Sequence, residues 1–164
     1  ALAYEVAKYN LKNDNFEKAA EFILKAIDNE EDAERKANYQ YQLAVIYSSR
    51  LGRYKDAVEF AKKAIESKPG WGEPYFVITS ALIEGIRSCN IEAFEKQAIY
   101  WLAADYAFRA KQEDPSVEDK ANDLLAQYRS NYPNVEETFF RSLKEGDSYQ
   151  IGCWVGETTT VKTR

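Results

Sequence analysis

The stretch YKDAVEFAKKA, residues 54–64, places one aromatic residue and three alanines at successive intervals of three, four and three. These intervals put Tyr54, Ala57, Ala61 and Ala64 on one stripe of an α-helix. Alanine on such a stripe allows a second helix to approach closely. The stretch is therefore predicted to be the packed face of a helix that pairs with a neighbouring helix.

The same spacing occurs two more times in the chain. The copies are Phe16, Ala19, Ile23 and Ala26 before it, and Tyr100, Ala103, Ala107 and Ala110 after it. Turn-forming residues precede the first two copies at 13–15 and 51–53. Pro69 and Pro115 follow the second and third copies, where a proline stops one helix and starts the next. Three copies at matched spacing predict a repeat of helical pairs.

The middle copy and its surroundings resemble the tetratricopeptide repeat (TPR) family. The resemblance rests on Leu43, Ala44 and Tyr47 in a first helix, Gly52 and Tyr54 at a turn, and Ala57, Ala64 and Pro69 beyond it. It implies stacked helical pairs with a concave surface lined by the first helix of each pair. The turn aromatics are 38 and 46 residues apart, whereas the family period is about 34. Longer helices or loops are expected to hold the extra residues.

We predict an all-α, right-handed TPR-like solenoid of helical hairpins. It comprises three units, at 1–36, 37–71 and 72–115, then a capping helical segment at 116–145 and a non-helical tail at 146–164. The first helix after Pro115 is expected to be either a capping helix or the first half of a degenerate fourth unit. In the third unit two unusually long helices are expected, at 73–87 and 91–112, on either side of Ser88-Cys89-Asn90.

Two helix starts are predicted in the capping segment. Ser116 with Asp119 resembles a capping box, in front of an apolar stripe made of Ala121, Leu124, Leu125 and Tyr128. Asn134 with Glu137 is expected to open a short helix. That helix would carry Phe139, Phe140 and Leu143 and end at Gly146.

The last residues alternate in character, which favours extended structure. Tyr149, Ile151, Cys153 and Val155 alternate with other residues, and Gly156-Glu157 can form a two-residue turn into 158–161. We therefore predict a small β-hairpin or an extended tail.

Residues 60–164 also resemble, more closely, the C-terminal end of a group of exported bacterial TPR proteins. That resemblance rests on Gly70-Trp71-Gly72-Glu73-Pro74-Tyr75, Gly146-Asp147-Ser148-Tyr149, Gly152-Cys153-Trp154 and Glu157-Thr158-Thr159-Thr160-Val161. It implies export to a bacterial envelope compartment. The chain starts at Ala1 within a helical pattern and contains no Met, so it is expected to be a fragment or a processed product.

Composition excludes several function classes. A net charge of −5 gives no electrostatic attraction to nucleic acid. The longest apolar stretch, 98–104, is far shorter than the roughly 20 residues that span a bilayer. With no His, the commonest general base and metal ligand is missing. The seven glycines form no phosphate loop.

The acidic clusters could in principle hold calcium or transfer protons. They are Glu30-Glu31-Asp32 and Glu136-Glu137, and the more ordinary interpretation is a helix start or a solvated loop. We expect no cofactor, no metal site and no catalytic residue, which makes an enzyme the weakest hypothesis.

The remaining candidate is a binding surface on the first helices. One stripe in the second unit is Asn38, Tyr41, Val45 and Ser48, and the matching stripe in the third is Glu73, Phe76, Ser80 and Ile83. Each contains an aromatic residue expected to be exposed, beside small polar residues, which favours a groove for a protein or peptide partner. Two alternatives stay open: these aromatics pack between units, or they form a carbohydrate-binding surface.

Some TPR modules bind a C-terminal carboxylate with Lys, Arg and Asn side chains along this same stripe. Only Asn38 matches that pattern here, so no such clamp is expected.

Cys89 and Cys153 are the only cysteines, and each is predicted to lie at a break in helical structure. An even count in an exported chain favours a disulfide between them. The alternatives are two free thiols in a reducing compartment, or two cysteines too far apart to bond.

Overall fold

The computed structural model describes all of residues 1–164 as eight α-helices, one 3-10 turn and a two-stranded antiparallel sheet. The helices are α1 Leu2–Lys12, α2 Phe16–Asn29, α3 Ala33–Ser49, α4 Tyr54–Ser67, α5 Glu73–Ile86, α6 Ala93–Glu113, α7 Glu118–Ser130 and α8 Val135–Phe140. The 3-10 turn is Pro115–Val117, and the strands are β1 Ser148–Gln150 and β2 Thr158–Thr160. Helical residues make up 69% of the chain, which confirms the predicted all-α class.

The repeated stripes lie at the contacts between helices. Consecutive helices pack against one another from α1 to α7, in the adjacent order of a helical-repeat solenoid. The aromatic residue that begins each stripe is half-buried, and the other nine members are fully buried: Ala19, Ile23, Ala26, Ala57, Ala61, Ala64, Ala103, Ala107 and Ala110. Small side chains at these positions let the helix backbones approach closely. The division into three units at 36, 71 and 115 stays a prediction.

The first helices of successive pairs are linked along one side of the stack. The ring of Tyr4 on α1 lies 4.4 Å from that of Tyr39 on α3, and its hydroxyl donates to Gln42. Helix α3 also contacts α5, and Lys120 on α7 pairs with Glu73 on α5 at 3.2 Å. These contacts place α1, α3, α5 and α7 next to one another.

The third pair has one long helix rather than two. Helix α6 has 21 residues, whereas α5 has 14, as α2 and α4 do. The expectation of an unusually long α5 is therefore wrong. The extra residues of this pair lie in α6 and in the non-helical linker 87–92.

Asp114, not Ser116, caps the start of the segment that follows α6. Its carboxylate accepts hydrogen bonds from the backbone N–H and the hydroxyl of Ser116 at 3.1 and 2.6 Å. The predicted capping box of Ser116 and Asp119 is wrong because Ser116 lies inside the 3-10 turn and acts as a donor. The cap at Asn134 is confirmed, since its side chain accepts from the N–H of Glu137 at 2.8 Å.

Helix α8 ends earlier than the position of Gly146 predicted. It stops at Phe140, and Ser142 takes the left-handed conformation at φ 57°, so Leu143 lies outside the helix. The Leu143 N–H then bonds the Thr138 carbonyl at 2.9 Å, a return bond typical of helix C-termini. Gly146 instead turns the chain towards β1.

The tail contains a hairpin with a longer loop than predicted. Ser148 pairs with Thr160 and Gln150 with Thr158, so residues 151–157 form the connection. The predicted two-residue turn at Gly156-Glu157 is wrong, and Cys153 lies in the loop rather than in a strand. The alternation that favoured strand continues only as far as Gln150, because the chain then turns inwards to bury Ile151.

The tail packs on the long helix α6 through directed hydrogen bonds. The indole N–H of Trp101 donates to the Lys162 carbonyl at 2.9 Å, and the Thr159 hydroxyl donates to Asp105 at 2.5 Å. Ile151 and Val161 are almost completely buried beneath it. A tail of this length has too little apolar surface to fold alone, and α6 supplies the rest of its core.

A disulfide joins Cys89, in the linker between α5 and α6, to Cys153 in the hairpin loop. The sulfur atoms are 2.11 Å apart and the Cα atoms 6.3 Å apart. Beside this bond the indole N–H of Trp154 donates to the Gly85 carbonyl at 3.1 Å. The loop is thus attached to α5 as well as to α6.

The contact of Gly85 with Trp154 gives a first testable prediction. A Cβ at position 85 would lie 2.5 Å from the Trp154 ring and 2.8 Å from the Tyr54 Cβ. We expect Gly85→Ala to lower the free energy of unfolding by about 1–2 kcal/mol, since overpacking outweighs the helix propensity of Ala. Urea unfolding measures it. Gly152→Ala is the control, because a Cβ there meets nothing nearer than 4.0 Å; equal stability of the two variants would contradict the contact.

The disulfide gives a second prediction. The two cysteines are 64 residues apart, and closing a loop of this size stabilises a fold by up to about 4 kcal/mol through the unfolded chain. Alkylation of the purified, denatured protein is expected to label no thiol without reductant and two after reduction. Urea unfolding of Cys89→Ser/Cys153→Ser should show the stability loss, and two thiols labelled without reductant would refute the bond.

Candidate binding groove

A groove of about 230 Å³ opens on the side of the stack formed by the first helices. We call it the groove throughout. Its lining comes from α3, α5 and α7 and consists of Tyr41, Val45, Ser48, Ser49, Glu73, Phe76, Val77, Ser80 and Lys120. Because α3, α5 and α7 lie next to one another in the stack, the stacking of the helices creates the groove.

The floor of the groove is apolar. Phe76 is only 6% exposed, with Val45 and Val77 half-buried beside it. The expectation that Phe76 is exposed is therefore wrong: its ring packs in the core and presents a small surface to the groove. Burying such a ring gives a floor that favours apolar groups.

One wall of the groove is a pair of aromatic rings. The centre of the half-buried Tyr41 ring lies 4.9 Å from that of the Trp71 ring, and the two rings are tilted by 55°. The Lys68 ammonium lies 5.0 Å from the centre of the Trp71 ring. Burial raises the pKa of the Tyr41 hydroxyl, and the negative charge of Glu73 raises this pKa further by a smaller amount. This hydroxyl is therefore neutral at physiological pH and can donate a hydrogen bond. Tyr41 both packs against a neighbour and lines the groove.

Lys120 closes the end of the groove at α7. Its ammonium lies 4.6 Å from the centre of the Phe76 ring and 3.2 Å from a carboxylate oxygen of Glu73. It is the one lysine or arginine in the lining, and Glu73 is the one carboxylate. The groove is therefore close to neutral, with both charges at its rim.

The structure brings together six of the eight residues predicted from the two stripes. They are Tyr41, Val45, Ser48, Glu73, Phe76 and Ser80. Asn38 is exposed one turn before the groove, and Ile83 packs against the core one turn beyond it. Helical spacing gives the direction of a stripe, whereas the neighbouring helices set where the groove begins and ends.

Sequence reasoning missed Ser49, Val77 and Lys120. The first two are neighbours in sequence of predicted residues and widen the stripes by one position. Lys120 follows Phe76 by 44 residues and was assigned to a capping segment. The alternative prediction, in which α7 is the first half of a degenerate fourth unit, would place Lys120 on the same side of the stack as the two stripes.

Three serine hydroxyls lie in the groove. The Ser49 hydroxyl donates to the Val45 carbonyl at 2.7 Å, while the hydroxyls of Ser48 and Ser80 make no hydrogen bond within the protein. No cluster of three or more His, Cys, Asp or Glu residues is placed to hold a metal ion.

Asp114 fixes the relative positions of two of the groove helices. Its carboxylate accepts from the Gly72 N–H at 2.8 Å, just before α5, and from Ser116, just before α7. The Ser116 hydroxyl and the Gly72 N–H lower the pKa of Asp114, in that order of effect. A Cβ on Gly72 would lie 2.6 Å from Val117, so the two helix starts touch here.

Comparison with known proteins identifies one repeat. Residues 37–70 match the family model described as Tetratricopeptide repeat. This segment holds α3 and α4, so it includes one wall of the groove. No curated protein matches the chain. Tetratricopeptide repeats act in general as scaffolds for protein interaction, and the match indicates such a role here. None of the helices combines the length and the apolar character needed to cross a membrane.

Asp114 gives a third prediction. Because the folded state lowers its pKa below the ordinary value of 3.8, its stabilising effect is complete above that pH and is lost as the pH falls through the folded pKa. Asp114→Ala is expected to cost about 1 kcal/mol at pH 7, as for a lost helix cap. Urea unfolding measured from pH 7 to pH 2 should show that the difference in free energy of unfolding between the variant and the wild type shrinks below pH 3.8.

The control for this experiment is Asp123→Ala on α7. Asp123 is exposed and takes part in no ion pair. An Asp114 variant whose deficit persists unchanged at low pH would contradict the assigned role.

Proposed function

We propose that this chain is a non-catalytic scaffold that binds an extended segment of a partner protein in the groove. The observation that carries the proposal is the convergence of α3, α5 and α7 on one cleft with an apolar floor and polar edges. In stacked helical repeats such a surface is the usual place for a partner.

The groove chemistry favours a peptide with one large apolar side chain. Phe76, Val45 and Val77 offer an apolar floor, and a volume of about 230 Å³ suits one side chain rather than a whole small molecule. The hydroxyls of Ser48 and Ser80 can bond to the peptide backbone. Lys120 and Glu73, 3.2 Å apart at the rim, can together bond a polar or charged group next to the anchored residue.

The carbohydrate-binding alternative has less support. Stacking on a sugar needs an open, flat aromatic face. Tyr41 and Trp71 lie against each other at 55°, Lys68 covers the Trp71 ring, and Lys120 covers Phe76. An enzyme is the weakest candidate, because the chain has no His and no cluster of residues that could hold a metal ion.

We further propose that the chain works in an oxidising compartment, as its resemblance to exported bacterial proteins implies. The disulfide between Cys89 and Cys153 supports this, since such bonds persist mainly outside reducing cytosol. A full gene product that lacks an export signal would overturn this part of the proposal.

A filled groove gives the fourth prediction. Ser80 is exposed at the edge of the groove, so Ser80→Trp should fill the cleft without disturbing the core. Peptides selected from a random displayed library on the wild type are expected to share an aromatic or branched aliphatic residue. Their affinity, measured by fluorescence polarisation, should fall at least about tenfold, or 1.4 kcal/mol, in Ser80→Trp.

Ser130→Trp serves as the matched control, because Ser130 is exposed on α7 outside the groove. Peptides that bind Ser80→Trp and the wild type equally would refute the groove. Glycan-array binding that Ser80→Trp abolishes would favour the carbohydrate alternative. Phe76→Ala is unsuitable here, because removing this buried ring costs about 3–5 kcal/mol of stability.

A further inference from the structure

The short helix α8 presents an exposed apolar patch that the groove does not involve. Val135, Phe139 and Phe140 are 54, 77 and 83% exposed. They surround a shallow hollow together with Glu136. The other large aromatic side chains near the tail, among them Phe94, Trp101 and Tyr149, pack against one another instead.

The patch is held on a fixed support rather than on a loose end. Asn134 caps the helix, and Thr138 is buried with its hydroxyl bonded to the Val135 carbonyl at 2.8 Å. Just beyond the helix, Arg141 lies 4.0 Å from the centre of the Phe94 ring and pairs with Glu92 at 2.7 Å. The two phenylalanines are therefore presented outward in a defined position, which lowers the entropic cost of binding.

The charges beside the patch are acidic and unpaired. Glu136 and Glu137 lie on α8 itself, are exposed, and take part in no ion pair, whereas Arg141 is engaged by Glu92. No lysine or arginine lies on the helix. A surface that covers the patch must therefore bring positive charge next to apolar groups. An anionic membrane would be repelled, because such membranes recruit basic segments.

The area of the patch argues against a symmetric dimer of this chain. At roughly 200 Å² for a whole Phe side chain, the three side chains expose about 400 Å². Two such patches face to face would bury about 800 Å², below the roughly 1,200 Å² of a stable interface. A second copy would also bring Glu136 and Glu137 against their own equivalents. A helix of a different protein can extend beyond the patch and bury further surface, and its basic residues would attract Glu136 and Glu137 rather than repel them.

We propose that the patch on α8 is a docking surface for a basic amphipathic helix of a partner protein. The phenylalanines contact the apolar stripe of that helix, and the two glutamates pair with the lysines or arginines that flank it. This surface lies apart from the groove, so the chain can bridge two partners.

The probe for this proposal is a synthetic helical peptide of about 18 residues, five turns, with leucines on one face and lysines on the other. Isothermal titration with the full chain is expected to show binding that weakens with added salt. Phe139→Ser/Phe140→Ser should weaken it at least about tenfold. Glu136→Gln/Glu137→Gln should weaken it about threefold and flatten the salt dependence.

Leu2→Ser is the matched control, because Leu2 is 80% exposed at the other end of the chain. This variant should bind the peptide as the wild type does. Since Phe139 and Phe140 are exposed, their replacement leaves the fold intact, which circular dichroism checks. Unchanged peptide binding by the double Phe variant overturns the proposal. Two other results would also overturn it. One is a concentration-dependent dimer of the wild type in sedimentation that the double Phe variant does not form. The other is flotation of the wild type with phosphatidylcholine or phosphatidylserine vesicles that the double Phe variant loses.

Discussion

The close approach of consecutive helices over small side chains is the constraint on which the rest of this structure depends. Ala57, Ala61 and Ala64 are fully buried at one such contact, and the other two stripes behave alike. A larger side chain at any of these positions would push two backbones apart. Because each pair packs on the next in the same way, a larger side chain at one contact would also shift the helices that form the groove.

The groove is a consequence of this stacking rather than a separate feature. Its floor residue Phe76 belongs to the core, so binding and stability share one side chain. Its rim is set by Asp114, which ties the starts of α5 and α7 together. The chain therefore carries a preformed groove, and a partner need not order it on binding.

The tail covers apolar surface at the C-terminal end of the stack of helices. Helix α6 is long and would leave apolar side chains uncovered on its far side. Ile151 and Val161 cover them, and the disulfide at Cys89 attaches the loop between the strands. The two most exposed phenylalanines, Phe139 and Phe140, lie on α8, a helix that Asn134 caps. The apolar side chains of the tail are thus covered by the chain itself, whereas those of α8 are not.

The sequence by itself determined the helical pairs, since a stripe such as Tyr54, Ala57, Ala61 and Ala64 repeats with a period that only a helix satisfies. It also determined most of one side of the groove, because Tyr41 and Val45 lie on one helical face. Only the tertiary structure decided that Lys120 joins them, because contact between α5 and α7 depends on packing across 44 residues of sequence. It likewise decided that Phe76 is buried and Phe140 exposed. Both are phenylalanines on helices, and which neighbour covers a face is a property of three-dimensional packing rather than of local periodicity.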